Sequence, residues 1–459
     1  MLRRFAISAC VVCLTLSAAA RTRPHYGGTL RIETQGDPWQ TPDGIARRLV
    51  LDTLTTEGET GGARPALAVR WESQNAAHRW EFWIRPGVHF QDGEALTSDT
   101  VAAALSDICA RPAAGGGACP WRMARGVGPS VVFVSDSPVP DLPELLAQTE
   151  FAIARQDATG AVIGTGPFRV TGYANGALTL AANDDCWSGR PFADSVEVRT
   201  RRVVRDQWLD LSVGKADIVE VPPELLRQAE QQHLNVLVSR PVDLLALTIA
   251  PSGWFGSREM RQAAALAVDR TALYNVIFQK QGEVTASLLP EALSGYGFLF
   301  ASDRDLDRAR ALRGGATTSA LVLGTGDTSV ADMSTTGQLV AERLALNLHE
   351  AGFNVQTASA GTRPTWSLDL RRVHLEATGP EAALDEMLSR FGQNRAGPMT
   401  GTGTDAAGLW QEERGVLDNE TVIPLLWLPR AWAVGERVRD LRLLSDGEPD
   451  LSDASLEGK

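Results

Sequence analysis

The chain has 459 residues, of which 44% are hydrophobic and 22% are charged. At roughly 150 residues per domain this length accommodates about three structural lobes, and the composition excludes a wholly disordered, collagen-like or coiled-coil protein. Its 44 Lys and Arg residues against 56 Asp and Glu residues give a net charge of -12, which disfavours nucleic acid as a partner, because clustered basic side chains hold phosphate backbones.

The amino terminus has the pattern of an export signal. Two arginines precede an apolar run, and the run ends on Ala18 and Ala20 in an A-x-A arrangement. We therefore predict a signal peptide over residues 1–20. An uncleaved membrane anchor is one alternative, although the apolar run is shorter than the ~20 residues that span a bilayer. A lipid anchor at Cys10 is another.

Three cysteines lie beyond this segment. Cys109 and Cys119 flank a short stretch rich in Gly and Ala, so in an oxidising compartment they can close a small loop. Such a bridge would stabilise the fold by ~2–3 kcal/mol through the unfolded state. Cys186 would then remain unpaired, and three free thiols are the alternative.

The elements of the first half are predicted from alternation and turn residues. Alternating apolar residues indicate strands, Asn-Gly and Asp-Gly pairs indicate turns, and Thr, Ser or Asp before an Ala-rich run indicates a helix start. In chain order these signals predict a strand over 27–35, a hairpin region over 80–93, a helix over 100–108, a hairpin around 175–176 and a strand over 195–204.

The second half contains the clearest predicted helix, over 257–279. Small and apolar residues recur on one face of it, and Ser257 can cap its start. Further along we predict a short helix within 303–316, then a strand, a helix and a strand within 320–358. Two strands within 415–443 are expected to run into a mainly polar tail.

No motif of catalytic or metal-binding chemistry is present. The sequence has no HExxH, GxSxG or P-loop pattern, and its six histidines are scattered without ligand spacing. We therefore predict no catalytic residue, no metal and no cofactor. The twelve tryptophans are more informative, since Trp suits surfaces that hold varied ligands. We expect a few of them to reach a cleft and the rest to lie in the core.

Seven segments follow one another in an order and spacing typical of one family. They are YGGTLRI (26–32), PALAVRWE (65–72), WEFWIRPGVHFQDGEALTSDTVAAAL (80–105), GTGPFRV (164–170), RQAAALAVDRTAL (261–273), LLP (288–290) and VIPLLW (422–427). Together they resemble the extracytoplasmic solute-binding proteins of ABC importers, family 5, which includes dipeptide-, oligopeptide- and nickel-binding proteins. The segments span nearly all of the mature chain, and the one at 80–105 is the most specific.

This resemblance implies an α/β fold, a two-lobed clamp of the periplasmic-binding-protein type (class II) with an extra subdomain in its larger lobe. We expect the larger lobe, with the N-terminal subdomain, at 21–246, the inserted second lobe at 247–410, and a return to the larger lobe at 411–459. Such a clamp closes on a ligand because only the closed state gains the contacts of both lobes.

The resemblance also implies a function. We expect a periplasmic, monomeric binding protein that captures a peptide or similar small solute and passes it to the permease subunits of an ABC importer. It would perform no covalent chemistry and bind no nucleic acid.

Peptide binders of the family hold the peptide amino group with an acidic residue shortly before a proline. The matching residue here is Glu376, four residues before Pro380. A buried carboxylate facing an ammonium is physically reasonable, because each charge needs a partner away from water. The family usually has Asp at this position, so a solvated or helix N-terminal acid is the alternative.

Further candidates for the cleft come from the loop after the first strand and from the expected crossings between lobes. They are Asp37, Trp39, Trp254, Trp410 and Arg371. The guanidinium of Arg371 has the fork geometry that binds a carboxylate, and alternation along a strand implies that only one of Arg371 and Arg372 faces the cleft. For each tryptophan, a place in the core is the alternative.

Other functions remain open at this point. A nickel or metal-chelate carrier would need histidines in the cleft, and His374 is the one so placed. A member of the family that senses a solute or binds a partner without transport is another alternative, because the segments after the first strand and at 391–410 look shortened. An exported hydrolase is the least favoured, since no nucleophile with a nearby base is evident.

Overall fold

The computed structural model describes residues 25–39, 44–58, 62–110, 119–157, 160–296, 299–315, 319–325, 334–358, 366–393 and 406–457. The predicted signal peptide and Cys10 lie outside the described residues. Within the described ranges, no helix has both the length and the apolar character needed to cross a lipid bilayer.

Strands form where apolar residues alternate, as in Arg79–Ile84, whose Trp80, Phe82 and Ile84 side chains all point to one core. The strands are β1 (Thr29–Glu33), β2 (Thr55–Glu57), β3 (Ala63–Pro65), β4 (Ala68–Gln74), β5 (Arg79–Ile84), β6 (Met123–Val127), β7 (Ser130–Val134), β8 (Arg155–Gln156), β9 (Val162–Ile163), β10 (Phe168–Ala174), β11 (Ala177–Ala182), β12 (Ser195–Arg199), β13 (Ile218–Glu220), β14 (Val236–Ile249), β15 (Glu283–Val284), β16 (Leu321–Gly324), β17 (Val355–Thr357), β18 (Leu368–His374), β19 (Val422–Val434), β20 (Val438–Arg439), β21 (Arg442–Leu443), β22 (Pro449–Asp450) and β23 (Ser455–Leu456). The predicted hairpin is β10–β11, and Asn175 and Gly176 both have the positive φ that its tight turn requires.

Helices cover the sheets and begin mainly after Gly, Pro, Ser or Asp residues. They are α1 (Ile45–Val50), α2 (Ser98–Ala110), α3 (Leu142–Leu145), α4 (Val204–Ser212), α5 (Leu226–Gln231), α6 (Arg258–Ala267), α7 (Arg270–Ala272), α8 (Glu291–Ser294), α9 (Leu306–Arg313), α10 (Ser334–Glu350), α11 (Pro380–Arg390) and α12 (Ala406–Leu417).

Two predictions of secondary structure are wrong. The helix expected over 257–279 is divided after Ala267, because Val268 is extended and the Asp269 side chain accepts a hydrogen bond from the Ala272 amide to begin a new turn. The stretch 415–443, expected to hold two strands, instead contains the end of α12, the single long strand β19 and two short strands. The polar tail is folded, since β21 pairs with β22 and β20 with β23.

Within the described residues, eleven strands form one sheet in the order β10-β11-β12-β1-β13-β19-β14-β18-β16-β17, with β15 beside β19. The antiparallel pair β14 and β19 supplies its two longest strands. Midway along them the register shifts where Pro241 lies opposite Pro429. Proline cannot donate a main-chain hydrogen bond to the ladder, so the paired prolines interrupt the sheet at this point.

Separate hydrophobic cores lie on the two sides of this interruption. Val236 and Leu237 at the start of β14, and Trp432 at the end of β19, pack with elements from both chain ends. We call that part the terminal lobe. The other halves of β14 and β19 pack with β16–β18, α6 and α10–α12, and we call that part the inserted lobe.

A third core belongs to the N-terminal subdomain, which we define as the sheet β4-β5-β7-β6 with α2. Phe82 and Phe133 lie fully buried at its centre and make an edge-to-face contact. The structure joins Cys109, in the last turn of α2, to Cys119 by a disulfide, and Cys186 is free and buried. The bridge therefore fastens the end of α2 to the segment that leads into β6.

Candidate functional site

A cleft of about 890 Å³ lies where the two lobes meet. Its terminal-lobe wall consists of the loop after β1, the start of α4 and the segment 220–225. Its opposite wall consists of one face of α10 and the segment 276–279 of the inserted lobe. We call this cavity the large cleft. Its position between two cores is the usual place for a ligand in a two-lobed protein.

Both walls of the large cleft carry exposed apolar side chains. Val203 on the terminal lobe is 60% exposed, and Val276, Leu339 and Leu346 on the inserted lobe are 73%, 50% and 47% exposed. Exposed apolar side chains gathered around one cavity are typical of a binding surface, because a bound solute removes them from water.

Glu224 joins the two walls. Its Oε1 accepts a hydrogen bond of 2.6 Å from Thr336 Oγ1 on α10, and its main-chain oxygen accepts one of 3.2 Å from Gln279 Nε2. The partners belong to the inserted lobe, whereas Glu224 belongs to the terminal lobe. The two walls are therefore in direct contact at this point.

The floor of the large cleft is a buried ionic cluster centred on Asp243, on β14. Arg372 Nε donates to Asp243 Oδ2 at 2.9 Å, Arg430 Nε lies 3.2 Å from Oδ1, and His374 Nδ1 lies 2.7 Å from Oδ1. Burial alone would raise the pKa of Asp243, but Arg372, Arg430 and His374 hold it well below its usual range. The carboxylate is therefore ionised and the floor is firmly held.

The cluster continues into the turn between β21 and β22. Glu448 Oε1 pairs with Arg430, and the Glu448 amide donates to Asp446 Oδ1 at 3.1 Å. Gly447 permits this close approach, since a Cβ atom there would lie 2.9 Å from both Arg430 Cβ and Ser239 Oγ. The Asp-Gly turn thus brings two carboxylates to the boundary between the lobes.

A second cavity, of about 490 Å³, lies on the other side of this turn. Residues of β2 and β3, the segments 144–148 and 376–378, and the turn at 444–446 line it, and we call it the small cavity. Arg48 pairs with Asp446 on its wall. The turn therefore separates the two cavities, with Glu448 facing the large cleft and Asp446 the small cavity.

Glu376 lines the small cavity, and its carboxylate is already engaged. The Thr149 amide donates to Oε2 at 2.7 Å, and the Thr149 hydroxyl lies 2.8 Å from both oxygens. Arg48 and Arg390 lie 3.7 and 3.9 Å away, and the side chain is 4% exposed. The contact joins the inserted lobe to the loop that follows the N-terminal subdomain sheet.

The other predicted site residues are not gathered in one place. Asp37 lines the large cleft, whereas Trp39 packs against the terminal-lobe core. Trp254 packs against the core of the inserted lobe, and Trp410 packs against α11 and α12 residues of the same lobe. Arg371 donates a 2.9 Å hydrogen bond to the Arg390 main-chain oxygen and lies over Phe391.

Strand alternation places Arg372 and His374 on the floor of the large cleft, with Arg371 on the opposite face of β18. Asp243, Arg430 and Glu448 were missed in the sequence, because each becomes notable only beside the others. The Asp446-Gly447 pair, a strong turn signal, was the one available hint. In the described part of the chain, no three His, Cys, Asp or Glu side chains are grouped to hold a metal ion.

Comparisons of sequence identify relatives. A family model for bacterial extracellular solute-binding proteins, family 5 (middle region), matches residues 62–377. The oligopeptide-binding protein AppA of Bacillus subtilis is 24% identical over 333 residues, which are 62% of this chain and 58% of AppA. The transcriptional regulator SgrR of Pectobacterium atrosepticum is 29% identical over 206 residues, which are 43% of this chain and 34% of SgrR. The matches thus span 58% or less of the length of these relatives.

Comparisons of structure identify the fold. The periplasmic binding protein DppA of Helicobacter pylori, in complex with the peptide STSA, superposes with a TM-score of 0.79 at 16% identity, over 95% of this chain and 99% of DppA. NikA of Staphylococcus aureus, in complex with Ni(L-His)2, superposes with a TM-score of 0.75 at 15% identity, over 94% of this chain and 100% of NikA. At such identities the likeness establishes the two-lobed binding-protein fold and leaves the ligand open.

Proposed function

Because the chain belongs to family 5 of the bacterial extracellular solute-binding proteins, we propose that it captures a small solute, such as a peptide, between its lobes and delivers it to an ABC importer. The observation that carries this proposal is the large cleft of about 890 Å³, which is walled by both lobes. A volume in the range of 300–1,000 Å³ is ordinary for small-molecule sites.

Closure follows from the position of the cleft. A solute in it touches Val203 on one lobe and Leu339 on the other, so only the closed arrangement provides both sets of contacts. The hydrogen bond between Glu224 and Thr336 adds a direct contact between the same two walls. The solute and this bond therefore favour the same state.

We further propose that the chain crosses between lobes near Pro241 and near Pro429. These positions differ from the boundaries at 246/247 and 410/411 that the sequence alone favoured. Residues 422–428 pack with the inserted lobe, whereas Trp432 packs with the terminal lobe. The interrupted ladder between the two prolines is the natural place for a hinge.

For Glu376 we propose a structural role, in which its bonds to Thr149 and its nearby arginines hold the inserted lobe against the loop that follows the N-terminal subdomain sheet. That Glu376 contacts a ligand ammonium stays a prediction. A ligand would have to replace Thr149, which supplies both an amide and a hydroxyl. The two roles predict different effects of substitution on stability and on affinity.

The setting of the proposed function is extracytoplasmic. We propose that the chain is exported by residues 1–20, acts as a monomer in the periplasm, and meets the permease subunits of an importer there. We propose no enzymatic activity and no nucleic-acid partner. The net charge of -12 and the absence of hydrolase motifs in the sequence support this assignment.

The test is a thermal-unfolding screen of residues 21–459 against pools of di- to pentapeptides, sugars and nickel–histidine complexes. A ligand that binds only the folded protein stabilises it by about 2.7 kcal/mol at one hundred times its dissociation constant. We expect a peptide pool to raise the melting temperature. If no pool raises it, solute capture is contradicted.

A second candidate is solute sensing without transport, which the match to the regulator SgrR favours. The two candidates share the binding step and differ in whether the bound solute is then handed to a permease. Cells that lack the gene would lose uptake of the labelled solute if the protein serves transport. Unchanged uptake, with binding intact, would favour sensing.

A further inference from the structure

The charges of the large cleft are unequally distributed. Arg372 and Arg430 on the floor are neutralised by Asp243 and Glu448. Besides His374, which pairs with Asp243, the other charged side chains of the lining are four acids and one base: Asp37, Glu220, Glu224, Glu342 and Arg343. The surplus is therefore negative, and a cationic solute gains from it whereas an anionic one does not.

Two carboxylates in the lining each retain one unused oxygen. Glu448 Oε2 and Glu224 Oε2 are buried, and neither accepts a hydrogen bond from a described residue. Their other oxygens are bound by Arg430 and Thr336. Buried polar oxygens nearly always have a donor, so these two are acceptors that a ligand N–H can satisfy.

Glu448 is the stronger of the two acceptors. The residue is 1% exposed, and its side chain is fixed by the bond to Arg430 and by the turn around Gly447. A preorganised carboxylate loses little freedom on binding, and a bond between a carboxylate and a cationic donor is about twice as strong as a neutral one.

From these observations we infer that the large cleft selects a solute with an ammonium or guanidinium group next to an apolar portion, and that Glu448 and Glu224 bind the cationic group. The apolar portion lies against Val203, Val276 and Leu339. This inference rests on the proposed function, since it assigns the chemical class of the solute that the cleft captures.

Four forms of one dipeptide test the inference by calorimetry on residues 21–459. Leucyl-leucine amide is cationic, leucyl-leucine is zwitterionic, N-acetyl-leucyl-leucine amide is neutral and N-acetyl-leucyl-leucine is anionic, and all four keep the same apolar side chains. We expect the cationic form to bind most tightly. Acetylation of the amino group should weaken binding at least tenfold, because it removes the charge that the carboxylates recognise.

Substitution of Glu448 tests whether its carboxylate binds the cationic group. In Glu448→Gln the penalty for acetylation should fall below about threefold, whereas Glu342→Gln, an exposed cleft carboxylate with the same change of charge, should retain the tenfold penalty. If Glu448→Gln does not fold, the acetylation series on the unaltered protein decides the inference alone, with Glu224→Gln as the second variant.

The outcomes separate this inference from the proposed function. Equal binding of the acetylated and free forms would contradict the cation site and leave solute capture intact. Binding of a pool solute that has no cationic group would also contradict the cation site and leave solute capture intact. If none of the four forms binds and no pool raises the melting temperature, both the inference and solute capture are contradicted.

Discussion

The large cleft and the small cavity lie on opposite sides of one turn, yet their carboxylates differ in how they are hydrogen-bonded. In the large cleft both walls carry exposed apolar side chains, and Glu448 and Glu224 each keep an unused oxygen. In the small cavity Glu376 is held by Thr149, and Asp446 by Arg48. Glu57 there also has a buried oxygen without a hydrogen bond, but its pKa is raised to about 8, so it is mainly an uncharged acid at neutral pH. A carboxylate whose partners are internal supports the fold, whereas one with an unused acceptor can recognise a ligand.

The largest effect should come from Asp243→Asn, which removes the charge that holds the common floor. It leaves Arg372 and Arg430 with one buried anion fewer, and a broken buried ion pair costs about 3 kcal/mol or more of unfolding free energy. Urea unfolding of the variant and of the unaltered protein measures this loss of unfolding free energy. Asp37→Asn, an exposed carboxylate in the same cleft, should change stability by less than about 0.5 kcal/mol. Equal effects of both would refute the ionic floor.

Glu376→Gln should have the next largest effect, and it should act on stability and not on the affinity for the solute. The loss of a charged acceptor for Thr149 should lower the free energy of unfolding by about 1.5–3 kcal/mol. The affinity for the solute that stabilises the protein most should change by less than threefold. A tenfold loss of affinity with unchanged stability would instead support Glu376 as the ammonium contact.

The small cavity should also show a pH dependence through Glu57. Burial, with the nearby charges of Asp446 and Glu376, raises the pKa of Glu57 to about 8, from an ordinary value of 4.5. The folded protein then holds a proton that the unfolded chain releases. The free energy of unfolding should therefore fall as pH rises from 4.5 to about 8, by roughly 1–2 kcal/mol from this residue after screening.

This contribution is measured as the difference between the unaltered protein and Glu57→Gln across that range of pH. The variant should show a shallower decline, because the glutamine does not titrate. Glu72→Gln, at an exposed position of β4, serves as the control and should keep the original slope. Parallel curves for all three proteins would show that Glu57 titrates normally.

The smallest effect is expected from the apolar wall. Leu339→Ser should weaken binding of the most stabilising solute about threefold, because half of this side chain is still exposed before binding. Leu209→Ser, on α4 and outside the cleft lining, should leave affinity unchanged, although Leu209 is 59% exposed against 50% for Leu339. Equal affinities for both variants would place the solute away from this wall.

The fold was predictable because its signals are local. The alternation in β5 and the turn at Asn175–Gly176 each depend on neighbouring residues, and both were found. The family segments added the order of the lobes. The break after Ala267 was missed, since Val268 suits the apolar face of a helix as well as the extended link that the structure shows.

The floor of the cleft was not predictable in the same way. Asp243, Arg372 and Arg430 lie on three strands that are far apart in the sequence. Only the pairing of β14 with β18 and β19 brings them together. Alternation indicated that one of two adjacent arginines faces the cleft, but the choice of Arg372 depends on the register of β18. Glu448 lies in a segment that resembled a polar tail.

Hydrogen exchange with and without the most stabilising pool solute tests the central claim most directly. If the solute binds in the large cleft, amides at 35–37, 220–221, 224–225 and 336–346 should exchange more slowly when it is bound, because both walls close on it. Slower exchange confined to 56–58, 144–148 and 376–378 would place the solute in the small cavity and contradict capture in the large cleft.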